Sequence, residues 1–266
     1  MCKNRALIAA HRGASGGNIP CNTLAAYEIA LRQGADIVEI DVAISAEGGH
    51  YVFHPGMEFP HLRSEKLIRD MTDAEVASQR FVNQDGTPTA HKIATLDEVL
   101  DFLKGKCLIN VDKFWTDIPG ITGIIRAHGM SDQVIVKTNP DRSLFSQIAE
   151  HASDLPYMPV IRGEDPWAEE LLANPAIRYI GSEILFEHDT EYFASGEYIS
   201  LAHSRGLKLW VNSILYDYRV ELAGGHSDDA SLTGDPDNGW GWILDKGFDI
   251  IQTDWPLMLR QYMENR

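Results

Sequence analysis

The feature that most constrains the fold is the alternation of short apolar runs with longer helical patterns along all 266 residues. Eight runs have the length and composition of buried strands: Ala6–Ala10, Ile37–Ile44, Cys107–Val111, Val134–Val136, Tyr157–Ile161, Tyr179–Phe186, Lys208–Val211 and Asp249–Thr253. Most are separated by segments of helical periodicity, such as Thr23–Gln33, Leu96–Lys104, Ser143–His151 and Gly196–Arg205. Eight strands each followed by a helix spell a (β/α)8 TIM barrel better than an open sheet. The length suits one such domain spanning 1–266, because barrels of this kind run to about 250 residues. Two segments depart from the repeat. Residues 51–95 form a small insertion after the second strand, in which His54-Pro55-Gly56 turns out of a β-like run. Residues 217–240, rich in Gly, Ser and Asp, predict a long loop after the seventh strand that overhangs the barrel mouth as a lid.

In such barrels the site lies at the C-terminal ends of the strands. His11, Asp41, Asp112, Lys137, Arg162, Asn212 and Asp254 all stand near the ends of their runs. Within that set, Glu39 and Asp41 sit at i and i+2 of one strand and so point the same way. Beside them stand two imidazoles, His11 and His54, and the guanidinium of Arg12. Hard oxygen ligands suit a divalent cation, and imidazoles can accept and donate protons near neutral pH. A planar guanidinium matches two phosphate oxygens. Together these are the parts needed to cleave a phosphodiester with one divalent metal.

The bulk numbers narrow the partners. Thirty-nine acids against 23 bases give a net charge of −16, a field that repels nucleic acid and anionic lipid surfaces. An anionic phosphodiester meets the same field, so its site needs local cations: the metal, Arg12 and lysine. Cys2, Cys21 and Cys107 have no metal-type spacing and suit a reduced, cytoplasmic protein. The first strand starts almost at once, leaving no room for a signal peptide, and no apolar run is long enough to span a bilayer, so no membrane insertion is expected.

The spacing carries a resemblance as well. His11-Arg12-Gly13, Asn22-Thr23-Leu24-Ala25-Ala26-Tyr27, Gly34-Ala35-Asp36-Ile37-Val38-Glu39-Ile40-Asp41-Val42 and His54 resemble the glycerophosphodiester phosphodiesterase family, within the PLC-like phosphodiesterase superfamily. The ending, Gly247-Phe248-Asp249-Ile250-Ile251-Gln252-Thr253-Asp254-Trp255-Pro256, is similar to that family's closing strand. The resemblance implies hydrolysis of a small-molecule glycerophosphodiester to glycerol 3-phosphate and an alcohol, with one divalent cation, Mg²⁺ or Ca²⁺. It implies Glu39, Asp41 and Asp112 as metal ligands and His11 and His54 as the acid–base pair. Arg12 and a lysine would bind phosphate, and Trp210 and Asn212 would lie near the leaving group.

The chain departs from the family pattern at four places. Asp112 stands where most members have glutamate. Lys113 follows it directly, where the family's lysine comes two residues later. A one-residue shift turns a strand side chain to the other face, so Lys113 points away from the metal unless a bulge re-aims it, and Lys137 is the alternative phosphate contact. Pro55 replaces an aspartate after the second histidine, and Cys21 replaces a glutamate. Two alternatives stay open: the same chemistry on a lysophospholipid or other phosphodiester, as in the related phospholipase D toxins with aspartate as third ligand, or a non-catalytic phosphoester-binding barrel.

Overall fold

Eight parallel strands close on themselves to form the centre of the molecule, a computed structural model that describes residues 5–215 and 222–266. The strands are β1 (Leu7–Ala10), β2 (Ile37–Ile44), β3 (His50–Val52), β4 (Leu108–Asp112), β5 (Val134–Thr138), β6 (Tyr157–Arg162), β7 (Gly181–Leu185), β8 (Lys208–Asn212) and β9 (Ile250–Thr253). Their order is β1-β9-β8-β7-β6-β5-β4-β2, and a β1–β2 pairing closes the circle. Only β3 lies outside it, antiparallel to β2, with Val42 opposite Val52. Helices follow the barrel strands, so the expected (β/α)8 barrel is the observed fold.

The strand period of two sets the interior. Ala9, Ile37, Ile135, Met158, Trp210 and Ile250 form an apolar floor. Two residues further along the same strands stand His11, Glu39, Lys137, Asn212 and Gln252, so the inward face turns polar toward the C-terminal end. The outward face stays apolar. Val38, Ile40, Ile109 and Val111 pack on the helices Leu24–Arg32, Leu96–Leu103 and Ile118–Ala127. On the opposite side Ile184, Leu209, Val211 and Ile251 pack on Gly196–Ser204 and Pro256–Glu264. Each large side chain buried this way contributes about 1.5–3 kcal/mol.

Residues 51–95 fold on a satellite core of their own, in which Tyr51, Phe53, Leu62, Ile68, Met71, Val76, Phe81 and Ile93 are buried. The chain reaches it through the β2–β3 hairpin, so the β-like run before His54 is a strand that doubles back over β2. After β8 the expected loop is partly helical. Ser227 caps a helix Asp228–Thr233 by accepting from the Ala230 N–H, and a wide turn at Asp237–Gly241 leads into the helix Trp242–Lys246. Two acidic residues in the first turn complement the helix dipole. Residues 217–221 of that segment, and Cys2, lie outside the described residues; Cys21 and Cys107 are free. Among the described residues no helix is long and apolar enough to cross a membrane.

One buried ion pair bridges the interior. The Lys137 ammonium donates to Glu183 Oε2 at 2.6 Å and lies 3.1 Å from the centroid of the Trp210 ring. Asn212 Nδ2 donates to Glu183 Oε1 at 2.6 Å, and Trp210 Nε1 donates to Asn212 Oδ1 at 3.0 Å. Burial pulls the Lys137 pKa below its usual value, against the pull of Glu183. Removing one partner leaves a buried charge uncompensated, so Glu183→Ala is expected to cost about 3–5 kcal/mol in urea unfolding. Replacing both, as Lys137→Met with Glu183→Leu, should recover most of that loss. A Glu183→Ala protein as stable as wild type would show that the pair does not hold the barrel.

Candidate active site

Strand register assembles the site. Asp41 on β2 is level with Asp112 on β4, and Ala10 on β1 is level with Val38, which places His11 beside Glu39. Ligand oxygens from Glu39, Asp41 and Asp112 lie within 4.8 Å of one another. Glu39 and Asp41 are 2% and 1% exposed, so neither has water to stabilise its charge. Burial, and then the charge of Asp41, push the Glu39 pKa up. Asp41 goes the other way: burial is outweighed by Arg12, His54, Lys113 and a hydrogen bond from Asn22, and its pKa falls.

The first βα loop supplies one cation, Arg12. Arg12 adopts a left-handed backbone with φ 55°, an uncommon state for a non-glycine residue. Its N–H donates to Glu39 Oε2 at 2.8 Å, and its carbonyl accepts from the Asn22 N–H at 2.9 Å. The side chain then returns over the strand, with Nε 3.0 Å from Asp41 Oδ2. That nitrogen is near enough for ion pairing but is not aligned as a hydrogen-bond donor. Gly13 follows with φ 81°, and a Cβ there would sit 2.8 Å from the Ala26 carbonyl carbon. Only glycine lets the loop lie this close on the helix. Thr23 caps that helix, while Asn22 Nδ2 donates to Asp41 Oδ2 at 2.9 Å and its Oδ1 accepts from the Tyr27 hydroxyl.

Lys113 is brought into the cluster despite its shifted position. Its φ of 58° is left-handed, and its ammonium lies 2.7 Å from Asp112 Oδ2 and 3.7 Å from Asp41 Oδ1. The face change expected of a continuing strand does not occur, because β4 ends at Asp112 and the backbone reverses hand. Lys137, by contrast, is committed to Glu183. Trp210 is fully buried and Asn212 nearly so, and both serve that same pair.

The two histidines have opposite environments. His11 Nδ1 is 2.9 Å from Asp254 Oδ1. A carboxylate can only accept, so the contact puts a proton on Nδ1 and leaves Nε2 as the nitrogen available to exchange a proton with substrate. Burial lowers the His11 pKa, yet the hydrogen bond and charge of Asp254 outweigh it and the net shift is upward. His54 follows β3 as it doubles back, with Nε2 3.9 Å from Asp41 Oδ1. Its Nδ1 is buried with no hydrogen-bond partner. Burial lowers its pKa, with Arg12 and Lys113 adding to the effect and Asp41 opposing it.

The carboxylates fit a divalent cation on a direct observation. Asp41 Oδ1 is buried with no hydrogen-bond partner, although Arg12, His54 and Lys113 surround the group. An orphaned anionic oxygen with two further carboxylates close by offers the hard oxygen donors that a divalent cation prefers.

Several residues here escape sequence reasoning. Asp254 is visible as a strand-end acid, but its partner lies 243 positions away. Asn22 reads as a helix cap and acts on Asp41 instead. His61, on the inserted helix Glu58–Leu62, has its pKa lowered by burial and then by the charges of Arg12 and His54. Glu183 is legible only once β7 is set in register with β8.

A family model described as a domain of unknown function (DUF4996) matches residues 157–263, from β6 to the last helix. The glycerophosphodiester phosphodiesterase of Bacillus altitudinis is 35% identical over 111 residues, covering 40% of this chain and 44% of the relative. That of Caldanaerobacter subterraneus subsp. tengcongensis is 30% identical over 132 residues, covering 49% and 51%. The chain thus spans about half the length of the curated relatives it matches. Among solved structures, a glycerophosphoryl diester phosphodiesterase from Parabacteroides distasonis superposes with a TM-score of 0.80 at 19% identity, covering 100% of this chain and 88% of that one. An Oleispira antarctica phosphodiesterase in complex with sn-glycerol-3-phosphate superposes with a TM-score of 0.72 at 19% identity, covering 97% and 96%. At these identities the structures establish the shared barrel. The curated relatives show that part of this chain is similar to glycerophosphodiester phosphodiesterases.

Proposed function

We propose that this chain hydrolyses a glycerophosphodiester to glycerol 3-phosphate and an alcohol with the help of one divalent cation, Mg²⁺ or Ca²⁺. The observation that carries the reading is the carboxylate triad with its unpartnered Asp41 oxygen, set between two histidines whose pKa values are pushed apart. Opposed shifts in a pair of titratable groups assign acid and base. His54, held neutral by burial, takes the proton from the attacking oxygen. His11, which Asp254 keeps protonated, gives a proton to the departing alkoxide as the phosphorus–oxygen bond to the alcohol breaks. Glu39, Asp41 and Asp112 would hold the cation, which when bound supplies positive charge to the phosphate oxygens. Arg12 and Lys113 add positive charge from either side, and Lys113 has to leave Asp112 when the cation and phosphate arrive. The product found in the Oleispira antarctica structure, sn-glycerol-3-phosphate, is the expected product here.

Three outcomes follow. Burial and the charge of Asp41 disfavour a charged Glu39, so Glu39→Gln should leave the thermal stability in EDTA close to that of wild type. Mg²⁺ or Ca²⁺ at a hundred times its dissociation constant should stabilise wild type by about 2.7 kcal/mol and leave Glu39→Gln unmoved. Equal stabilisation of both proteins would remove the triad as the metal site.

Release of glycerol 3-phosphate from glycerophosphocholine, glycerophosphoethanolamine or glycerophosphoinositol should require the cation and fall by about 10²–10⁴ in kcat in His11→Ala and in His54→Ala. Folded, metal-bound wild type that turns over none of these, but cleaves a lysophospholipid, would transfer the chemistry to that substrate. Turnover of neither class would leave a phosphoester-binding barrel.

The pH profile carries a sign. His11 must be protonated to act as the acid, so activity falls as pH rises through its raised pKa. Asp254→Asn removes the charge that raises it, and the high-pH limb of kcat should move to lower pH. A limb that stays in place would separate Asp254 from the acid.

A further inference from the structure

We propose that Asp228 is a positioning residue for His11, acting through the backbone of Asp254. Asp228 opens the helix Asp228–Thr233 in the segment after β8, far in sequence from the catalytic loop, and its carboxylate is buried. One oxygen, Oδ1, accepts from three donors: Ser213 Oγ at 2.6 Å, Trp240 Nε1 at 2.8 Å and Thr253 Oγ1 at 2.8 Å. The other, Oδ2, accepts from the Asp254 N–H at 2.8 Å. The Trp255 N–H donates to Thr253 Oγ1 at 2.9 Å, and the Thr253 carbonyl accepts from the His11 N–H at 3.1 Å. The turn 253–255 is therefore held by side chains at every residue.

What that turn carries explains why it is held. The Asp254 side chain is 51% exposed, and its contact with His11 is the one that sets the imidazole. A half-exposed carboxylate on a free strand end would sample several rotamers and lose side-chain entropy in meeting one partner. Fixing the backbone N–H from below removes the backbone share of that freedom and sets the point from which the side chain departs. The two oxygens of Asp228 also divide the work. Oδ1 anchors the segment to β8 and β9, whereas Oδ2 alone reaches Asp254. The division makes the claim separable from a purely structural clamp.

Asp228→Asn keeps one acceptor oxygen for Ser213, Trp240 and Thr253 and presents an amide N–H₂ to the Asp254 N–H, so it loses the positioning arm specifically. The inference rests on the phosphodiesterase reading for its kinetic test only. Expected results are a kcat loss of about tenfold to a hundredfold in Asp228→Asn, as for loss of an outer partner of a working imidazole, with KM little changed. The loss should not multiply with that of Asp254→Asn in the double variant, since both act through one contact. Trp240→Phe, which removes an anchor on Oδ1, should lower Tm and leave kcat within about twofold of wild type. Asp228→Glu, which keeps both oxygens but displaces them from the Asp254 N–H, serves in place of Asp228→Asn should the latter not fold.

A second readout is independent of turnover. The ring-nitrogen NMR resonances of His11, assigned by comparison with His11→Gln, should shift in Asp228→Asn in the same direction as in Asp254→Asn. Unmoved resonances overturn the proposal whatever the substrate proves to be. So does wild-type kcat in the variant, or losses that multiply. Moved resonances in a protein that hydrolyses no glycerophosphodiester would uphold the positioning contact and count against the function alone.

Discussion

Three carboxylates meet within 4.8 Å at the mouth of the barrel, two of them out of reach of water, and the surrounding structure answers the resulting repulsion. Removing charge from water costs several kcal/mol per ion unless a counter-ion replaces the solvent. Arg12 approaches Asp41 from the β1 loop, Lys113 approaches both Asp112 and Asp41 from the end of β4, and His54 approaches from the doubled-back hairpin. Each arrives by an unusual backbone route: a left-handed residue at 12, another at 113, and an antiparallel strand grafted on a parallel barrel. Local strain of this kind persists where the contacts around it over-determine the conformation. Even so, Glu39 remains pushed toward its neutral form and one Asp41 oxygen lacks a partner. That unpartnered oxygen is the feature of the cluster that the protein's own cations leave unanswered.

Around this centre the polar layer is organised in two independent networks. Lys137, Glu183, Asn212 and Trp210 satisfy one another across the barrel interior, forming a rigid polar floor beneath the carboxylates. Asp228, Thr253 and Asp254 form the second, at the rim, and end on His11. The first holds charge away from water. The second holds a proton at a defined atom. The loop carrying His11 and Arg12 lies near the start of the chain, whereas the carboxylate that contacts His11 comes from the stretch 157–263 matched by the family model of unknown function.

Much of the fold is legible in the chain because strands buried on both faces leave short, largely apolar runs, such as Ile37–Ile44 and Val134–Val136, at regular intervals. The triad is legible for a related reason: Glu39 and Asp41 share a strand face, and Asp112 ends the neighbouring run. Other features depend on contacts that no local pattern encodes. The direction of Lys113 turns on one φ angle, which the sequence Asp112-Lys113-Phe114 does not announce. Glu183 and Lys137 find each other across 46 positions, and His11 and Asp254 across 243. The helix Asp228–Thr233 sits in a stretch whose Gly, Ser and Asp content argues for loop, and it forms because Ser227 caps it and Asp228 is tied to two strand ends.

The central claim is that Glu39, Asp41 and Asp112 together hold one divalent cation against a phosphate. Crystals grown with Mn²⁺ and glycerol 3-phosphate and measured at the manganese edge would test it most directly. The account predicts a single strong anomalous peak about 2.0–2.6 Å from an oxygen of each of the three carboxylates, with the Lys113 ammonium withdrawn from Asp112 and turned to the phosphate. A peak elsewhere, or phosphate bound by Arg12 and Lys113 with no metal between the carboxylates at saturating Mn²⁺, would contradict it.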